Sequence, residues 1–268
     1  LAVLFTVFSR VDAKGKPQPL AQSDDALERW SELWQLGHFP AEPVRDYLEQ
    51  WKDRFWLFHP THPFWQVPTL SNGIEFDGKK LNGERAESGN KTPLFQNISK
   101  AECAVLTYAQ AARWLIYQNG YDERGGRPKA GNKPRHGVGW LGQIGFVAVK
   151  GKNLYETLLR NMAFSTEQDA LREKQLPCWE REHARTEQSV EIVMPKNQAE
   201  LLTLQSRRIL LIRSEEMPGV VGYEVLGGDY WDSENAFGEQ MTLWRRTSKE
   251  NEKVTYEPQQ HEMGKQLW

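Results

Sequence analysis

The chain has 268 residues, and its 34 basic and 36 acidic side chains give a net charge of −2. This length fits one large domain or two small ones. With 39% apolar residues, 21 glycines and 14 prolines, the composition excludes a collagen-like, low-complexity or disordered chain. The near-neutral charge excludes a uniformly basic surface for binding nucleic acid but is compatible with a local basic patch. Two cysteines are too few for a disulfide scaffold or a four-cysteine zinc site.

The longest apolar run is at the start, from Leu1 to Phe8. A membrane span needs about 20 apolar residues. A signal peptide needs a basic segment before the run and a small-residue cleavage site after it. We therefore expect a soluble, cytoplasmic protein with no membrane partner. The run has a helical pattern and no leading Met, so we expect further residues upstream.

Helical spacing of apolar residues dominates the first half of the chain. The members of two predicted helical faces are Leu27, Trp30, Leu33 and Trp34, and then Val44, Tyr47, Leu48, Trp51 and Phe55. Gly37 is placed to end the first helix, and the second is expected to follow Pro43. A capping box at residues 99–102 predicts a long helix with Val105, Leu106 and Leu115 on its apolar face, ending at Gly120. We interpret these stripes as core rather than as a platform for stacking bases.

Strand-like runs follow and predominate in the last hundred residues. Asn72-Gly73 predicts a hairpin between residues 65–70 and 74–76. Residues 208–214 and 220–226 form a second predicted pair, and residues 241–247 and 254–258 a third; a short strand is also expected at 145–149. With no repeat and no linker, the sequence predicts one mixed α+β domain over residues 1–268. Its helices lie in the first half and its short antiparallel strands and hairpins in the second.

No catalytic or metal-binding constellation stands out. His59 and His62 are flanked by prolines, and the other histidines are scattered, whereas zinc needs three or four convergent ligands. Cys178 and His183 are close in sequence, but the two intervening glutamates would raise the thiol pKa rather than lower it. The chain has no nucleophile elbow, P-loop or metalloprotease motif. We therefore predict no enzyme activity, no metal and no cofactor.

A glycine-rich basic stretch, residues 121–142, differs from the rest of the chain. Residues 137–142 (GVGWLG) fit the dinucleotide pattern G-x-G-x-x-G, but a basic loop is expected before them and a strand after them, which disfavours that interpretation. Glycines let a backbone approach a ligand closely, and neighbouring cations contact phosphates. The alternatives left open are a loop that faces nucleic acid and an ordinary solvated loop. The candidate contacts are Lys129, Lys133, Arg135, His136, Gly137, Gly139 and Gly142.

Two further basic spots lie later in the chain. Arg207-Arg208 is interpreted as a structural pair held by acidic partners. Arg245, Arg246 and Lys249 follow the apolar residues 241–244 and are further candidates for DNA contact. Three separate basic spots in a near-neutral protein indicate local contacts and not a general basic surface.

Several phrases of the sequence occur together, in the same order, in one known family. They are WKDRFWLF (51–58), HPFWQV (62–67), GVGW (137–140), KGKNL (150–154), ETLL (156–159), LPCWE (176–180), LQSRR (204–208), GDY (228–230) and MTLWR (241–245). On these residues the chain resembles the CasA family, the large subunit of the type I-E CRISPR Cascade surveillance complex. The resemblance covers nearly the whole chain.

The resemblance implies a non-catalytic subunit that recognises the protospacer-adjacent motif in double-stranded DNA and helps start unwinding of the target. Its implied partners are the other Cascade subunits, the crRNA 5′ handle, the target DNA and the helicase–nuclease. The family's glycine-containing loop, which approaches the motif from the minor groove, would fall at residues 137–142, with Gly142 the nearest match. The loop that contacts the crRNA handle would fall at about 121–135, and the second basic probe near Arg245–Lys253. The family continues with a wedge and a C-terminal four-helix bundle, which this chain would lack.

Two other functions remain open at this stage. A nucleotide- or RNA-processing enzyme could use the glycine-basic loop, with His136 the only general base near it. A purely structural scaffold protein would make no direct DNA contact, and neutralising Lys133 and Arg135 would then leave DNA binding unchanged.

Overall fold

A computed structural model of the chain describes residues 1–84, 105–122, 125–127, 135–137, 139–143, 147–164, 174–186, 195–229, 241–247 and 254–259, with the backbone alone at 125–127, 135–137 and 143. The helices among these residues are Ala2–Phe8 (α1), Ser23–Leu36 (α2), Ala41–Gln50 (α3), Gly78–Leu81 (α4), Tyr108–Tyr121 (α5), Trp140–Gln143 (α6), Leu154–Arg160 (α7) and Gln198–Leu202 (α8), with 3-10 turns at Lys52–Phe55 and Cys178–Glu180. The strands are Ile74–Asp77 (β1), Gly125–Arg127 (β2), Arg135–Gly137 (β3), Arg207–Arg213 (β4), Val220–Gly227 (β5), Trp244–Arg246 (β6) and Tyr256–Pro258 (β7). This mixture of helices and small antiparallel sheets confirms the α+β class.

Local capping residues set several helix ends. Gly37 ends α2 in the left-handed conformation, with φ 70°, as its position in the sequence predicts. The Asn153 side chain accepts a hydrogen bond from the Glu156 amide and starts α7. Helix α5 begins at Tyr108 behind a capping box formed by Thr107 and Gln110.

The predicted start of that long helix needs correction. Residues 99–102 lie outside the described residues, and Val105 and Leu106 precede α5 instead of belonging to it. Leu106 forms an antiparallel bridge with Val220 at the start of β5. A capping box closer to the helix, at Thr107, therefore determines where α5 begins.

The main sheet has three antiparallel strands in the order β1-β5-β4. The predicted pairing of residues 208–214 with 220–226 is confirmed, with Ile209 opposite Val225 and a register shift between Ile212 and Arg213. The ribbon predicted near the C-terminal end is confirmed as β6 paired with β7. In contrast, residues 147–149 of the strand expected at 145–149 form no strand, although the Val147 amide donates to the Met241 carbonyl over 2.8 Å, and residues 145–146 lie outside the described residues.

The predicted Asn72-Gly73 hairpin is wrong. No strand forms over residues 65–70, and β1 instead pairs with β5, placing Ile74 opposite Val225. A Cβ added at Gly73 would lie 2.6 Å from Cγ of Glu224 and 2.9 Å from the Val225 nitrogen. Gly73 is therefore needed for the close approach of β5 and not for a two-residue turn.

Four apolar clusters organise the described residues, and the smallest joins Val67 and Leu70 to Leu226 of β5. The sheet and α5 share the first, which includes Leu115, Ile209 and Tyr223. Helices α1, α2, α3 and α7 share the second, with Phe8 and Leu33 fully buried. The expected apolar face of α2 is only partly buried, because Leu27 is 68% exposed and Trp34 37% exposed. The third cluster joins Trp140 to α8 and to Trp244 of β6.

Candidate nucleic-acid interface

The glycine motif has a different local structure from the expected one. A short strand, β3 (Arg135–Gly137), precedes it, and a single helical turn, α6 (Trp140–Gln143), forms within it, whereas the sequence favoured a loop before and a strand after. Strand β3 pairs antiparallel with β2, with Gly126 opposite His136. A dinucleotide site needs a parallel strand–helix–strand unit with a long helix. The dinucleotide interpretation therefore remains disfavoured, now on structural grounds.

Gly139 is buried against the C-terminal end of α5. A Cβ at Gly139 would lie 2.3 Å from the Gly120 carbonyl carbon and 2.4 Å from the Tyr121 nitrogen. Its amide donates to the Asp122 carbonyl oxygen over 2.9 Å. Close packing of two backbone segments explains why position 139 has no side chain.

Gly142 differs from Gly139 because it is exposed within the α6 turn. Its amide donates to the Gly139 carbonyl oxygen over 2.9 Å. The turn is fixed from behind by Trp140, which is 4% exposed and whose amide donates to the Ser206 hydroxyl over 3.1 Å. The structure thus presents Gly142 at the surface on a firmly anchored backbone.

Arg207 and Arg208 form the buried ion pairs that the sequence interpretation favoured. The Arg207 Nε donates to Asp122 Oδ2 over 2.6 Å, and Arg208 Nη2 donates to Asp229 Oδ1 over 2.6 Å. Both arginine side chains are fully buried. Burial lowers the pKa of Arg208, and the charge of Asp229 opposes that shift. This second basic spot is part of the internal structure and does not face solvent.

The Arg207 pair also supports the glycine turn. The Asp122 carboxylate accepts a hydrogen bond from the Arg207 side chain, and the Asp122 backbone carbonyl accepts one from the Gly139 amide. The Arg207 amide donates to the Asn119 side chain on α5 over 3.2 Å, and the adjacent Ser206 holds Trp140. The sequence reasoning missed Asp122, Asn119 and Ser206, because nothing local to these residues indicates partners 66, 85 or 88 positions away.

The third basic spot is on the two-stranded ribbon. Arg245 and Arg246 are both exposed on β6, and Arg245 is opposite Glu257 in the register. Side chains alternate between the faces of a strand. Trp244 packs into the cluster that contains Trp140, so the β6–β7 ribbon and the α6 turn pack against the same apolar cluster. The structure therefore brings two of the predicted candidate segments together.

The structure describes only some of the remaining predicted DNA contacts, and those only by their backbone. Arg135, His136 and Gly137 are backbone positions of β3, so the structure assigns no contacts to their side chains. Lys129, Lys133 and Lys249 lie outside the described residues.

Cys178 has no nucleophile environment. Desolvation raises the pKa of its thiol to about 12, the opposite of the shift a reactive cysteine needs. His183, the histidine nearest in sequence, has a side chain that is 87% exposed.

Among the described residues, no group of three or more potential ligands is placed to hold a metal ion. Within the same residues, no helix has the length and apolar character to cross a bilayer.

Comparison with known proteins identifies one curated relative that matches about half of the chain and solved structures that match all of it. A curated CasA/Cse1 protein of Thermus thermophilus is 37% identical over 153 residues, which are 55% of this chain and 28% of that protein. The crystal structure of Cse1 from Thermobifida fusca matches with a TM-score of 0.76 at 29% identity, covering 100% of this chain and 51% of that one. A structure described as a CRISPR RNA-guided surveillance complex matches in fold, with a TM-score of 0.69 at 20% identity, over 54% of its chain. This chain thus spans about half the length of these solved relatives.

The family itself is defined by a sequence model rather than by any single relative. The model described as CRISPR-associated protein Cse1 matches residues 1–268, the full length of the sequence. The order of the phrases from WKDRFWLF to MTLWR, the fold and this match agree, and the chain belongs to the Cse1, or CasA, family of CRISPR-associated proteins.

Proposed function

We propose that the chain is the DNA-reading part of the large subunit of a crRNA-guided surveillance complex, and that it recognises the protospacer-adjacent motif in double-stranded DNA. Membership of the Cse1 family supports the subunit role, and the fold is shared with a CRISPR RNA-guided surveillance complex. In this proposal the chain is non-catalytic. It assembles with the other subunits and the crRNA 5′ handle, helps start unwinding of the target and helps recruit the helicase–nuclease. Residues 1–268 act as one domain.

One observation carries the DNA-reading role. Exposed Gly142 and the exposed cations Arg245 and Arg246 are on segments that pack against one apolar cluster, to which Trp140 and Trp244 both belong. A surface glycine lets the backbone enter a narrow groove, and nearby arginines neutralise phosphates or enter the minor groove. Because the minor groove distinguishes bases only coarsely, such a site accepts several related motifs while guide pairing supplies the remaining specificity.

The test is reconstitution of the chain with a crRNA-loaded Cascade core that lacks its large subunit. Binding is measured on duplexes with and without a panel of candidate motifs, at several salt concentrations. We expect stable incorporation and motif-dependent affinity. Changing Arg245 and Arg246 together to Gln should make the slope of log K against log salt less negative by about 0.9 for each phosphate that the variant no longer neutralises. Arg45→Gln, at an exposed position on α3, is the matched control and should leave the slope unchanged.

Gly142 provides a second arm of the same experiment. Gly142→Leu should abolish the discrimination between duplexes with and without the motif, whereas Gly142→Ala should retain part of it. Both variants should incorporate into the core as the unchanged chain does. If the chain incorporates but binding is the same for every motif and every variant, the scaffold alternative is correct and the proposal is refuted.

A further inference from the structure

The α6 turn has no capping side chain of its own. A helix leaves the amides of its first turn without partners inside the helix, and the residue before the first helical position commonly supplies an acceptor. Here that residue is Gly139, because α6 begins at Trp140. A residue with a side chain does not fit there, since a Cβ at Gly139 would lie 2.3 Å from the Gly120 carbonyl carbon. An acceptor for the first turn therefore comes from elsewhere in the chain.

Ser206, 66 positions later in the sequence, supplies that acceptor. Its hydroxyl oxygen accepts a hydrogen bond from the Trp140 amide over 3.1 Å, and both residues are buried. The backbone of Ser206 is itself held, because its carbonyl oxygen accepts the Gly228 amide over 3.0 Å. A Cβ at Gly228 would lie 2.6 Å from the Ser206 carbonyl carbon, so the two segments are in close contact. Ser206 thus caps the α6 turn from a fixed position.

A second attachment holds the neighbouring amide of the turn. The Gly139 amide donates to the Asp122 carbonyl oxygen over 2.9 Å, and the Asp122 carboxylate accepts from Arg207 Nε over 2.6 Å. Consecutive amides of the turn are therefore attached to consecutive residues of the chain, to Ser206 directly and to Arg207 through Asp122. Two points of attachment fix the orientation of a short turn as well as its position.

The same segment places the turn relative to the β6–β7 ribbon. Leu204 belongs to the apolar cluster that Trp140 and Trp244 share. The minor groove of B-DNA is about 6 Å wide, and a recognition site has to be held within about 0.5 Å of its productive geometry. A backbone that enters the groove at Gly142 therefore has to keep a constant spacing from the cations on β6.

We propose that Ser206 is a positioning residue of the DNA-reading site, whose hydroxyl fixes the α6 turn so that Gly142 enters the minor groove in the orientation that distinguishes motifs. Ser206 acts through the turn and not by touching DNA, since it is 1% exposed, and its role rests on the proposed function. Without the hydroxyl, the buried Trp140 amide loses its acceptor, so the turn has to shift to reach another acceptor or water. The phosphate contacts of β6 do not use this hydrogen bond. Discrimination between motifs therefore depends on Ser206, whereas the affinity for any duplex does not.

The test compares Ser206→Ala with Thr203→Val in the full chain assembled with the crRNA-loaded Cascade core. Thr203 is the matched control, because its buried hydroxyl also accepts a backbone amide, that of Cys178 over 2.9 Å, and donates to Ala199 of α8. The ratio of the dissociation constants for duplexes without and with the motif should fall several-fold for Ser206→Ala and stay unchanged for Thr203→Val. The affinity for a duplex without the motif, and its dependence on salt, should be the same for both variants and the unchanged chain.

Amide hydrogen exchange of the free chain measures directly how firmly the turn is held. Leaving a buried donor without its acceptor shifts a local equilibrium by about 5-fold or more. The amides of residues 139–143 should therefore exchange faster by that factor in Ser206→Ala but not in Thr203→Val. Unchanged exchange in Ser206→Ala would show that the turn is held without this hydroxyl and would overturn the proposal. Should Ser206→Ala fail to fold, Ser206→Cys keeps a weak acceptor and should show both changes to a smaller extent.

The binding measurements separate failure of this proposal from failure of the proposed function. If Ser206→Ala discriminates motifs as well as the unchanged chain while Gly142→Leu does not, the role of Ser206 is wrong and the proposed function stands. Equal loss of discrimination in Ser206→Ala and Thr203→Val would also overturn the role, because discrimination would then follow stability alone. An unchanged chain that does not discriminate motifs would refute the proposed function, and the role of Ser206 with it.

Discussion

The two glycines of the α6 turn should respond oppositely to the same substitution. Gly139→Ala places a methyl group 2.3–2.4 Å from three backbone atoms of Gly120 and Tyr121. Backbone atoms cannot rotate away as a flexible side chain can, so the α6 turn and the end of α5 must separate. Gly142→Ala instead adds a methyl group at an exposed position inside a helical turn.

The size of each effect follows from these surroundings. Overpacking a close contact costs about 1–3 kcal/mol. Weakening the hydrogen bond from Gly139 to Asp122 adds about 1 kcal/mol, so we expect Gly139→Ala to lose about 2–4 kcal/mol of unfolding free energy. Replacing glycine by alanine within a helix gains about 0.5–1 kcal/mol, so Gly142→Ala should be neutral or slightly stabilising.

Urea unfolding followed by tryptophan fluorescence measures both variants under the same conditions. The urea concentration at the unfolding midpoint should fall clearly for Gly139→Ala and stay constant or rise for Gly142→Ala. The slope of the unfolding free energy against urea concentration should be similar for both variants and the unchanged chain. A Gly139→Ala protein as stable as the unchanged chain would contradict the reasoning. It would show that the α5–α6 contact relaxes easily, and that Gly139 is then free for another role.

Three further outcomes follow from buried or capping groups. Arg207→Met should cost about 3–5 kcal/mol in denaturant unfolding because it removes the buried guanidinium that pairs with the buried Asp122 carboxylate, and adding Asp122→Leu should recover most of that loss. The raised pKa of Cys178 means that the unfolded chain releases this proton first, so the thiol's contribution to stability should be complete below about pH 9 and disappear as the pH rises towards 12. The measurement compares the pH dependence of the unfolding free energy between the unchanged chain and the Cys178→Ser variant. Asn153→Ala should cost about 1 kcal/mol through loss of the α7 cap, and a thermal shift assay that finds no change would contradict the capping role.

Features encoded by neighbouring residues could be predicted from the sequence. The end of α2 at Gly37, the cap of α7 at Asn153 and the β4–β5 hairpin each depend on a few adjacent positions. Local conformational preference and local hydrogen bonds are sufficient to determine such features. The structure therefore agrees with the sequence at these points.

Features that depend on distant contacts could not be predicted in the same way. Gly73 has the same local signature in a tight turn as in a close approach between strands, and only the position of β5 distinguishes the two. The pairing of Arg207 and Arg208 with acids was expected, yet Asp122 and Asp229 could not be named from spacing. In the candidate interface, the sequence indicated Gly142 and the arginines of β6, but only the apolar cluster that Trp140 and Trp244 share shows that the two segments are neighbours.

The placement of β1 has a consequence for the order in which the protein is made and folds. Gly73 at its start bonds to Glu224 of β5, which lies 151 positions later in the sequence. During synthesis, β1 leaves the ribosome long before its partner exists, whereas β4 and β5 are separated by a short turn and can pair at once. The β4–β5 hairpin is therefore expected to form first and to capture β1 afterwards. A nascent chain that stops before β5 would leave the β1 edge without this partner and dependent on chaperones to avoid aggregation.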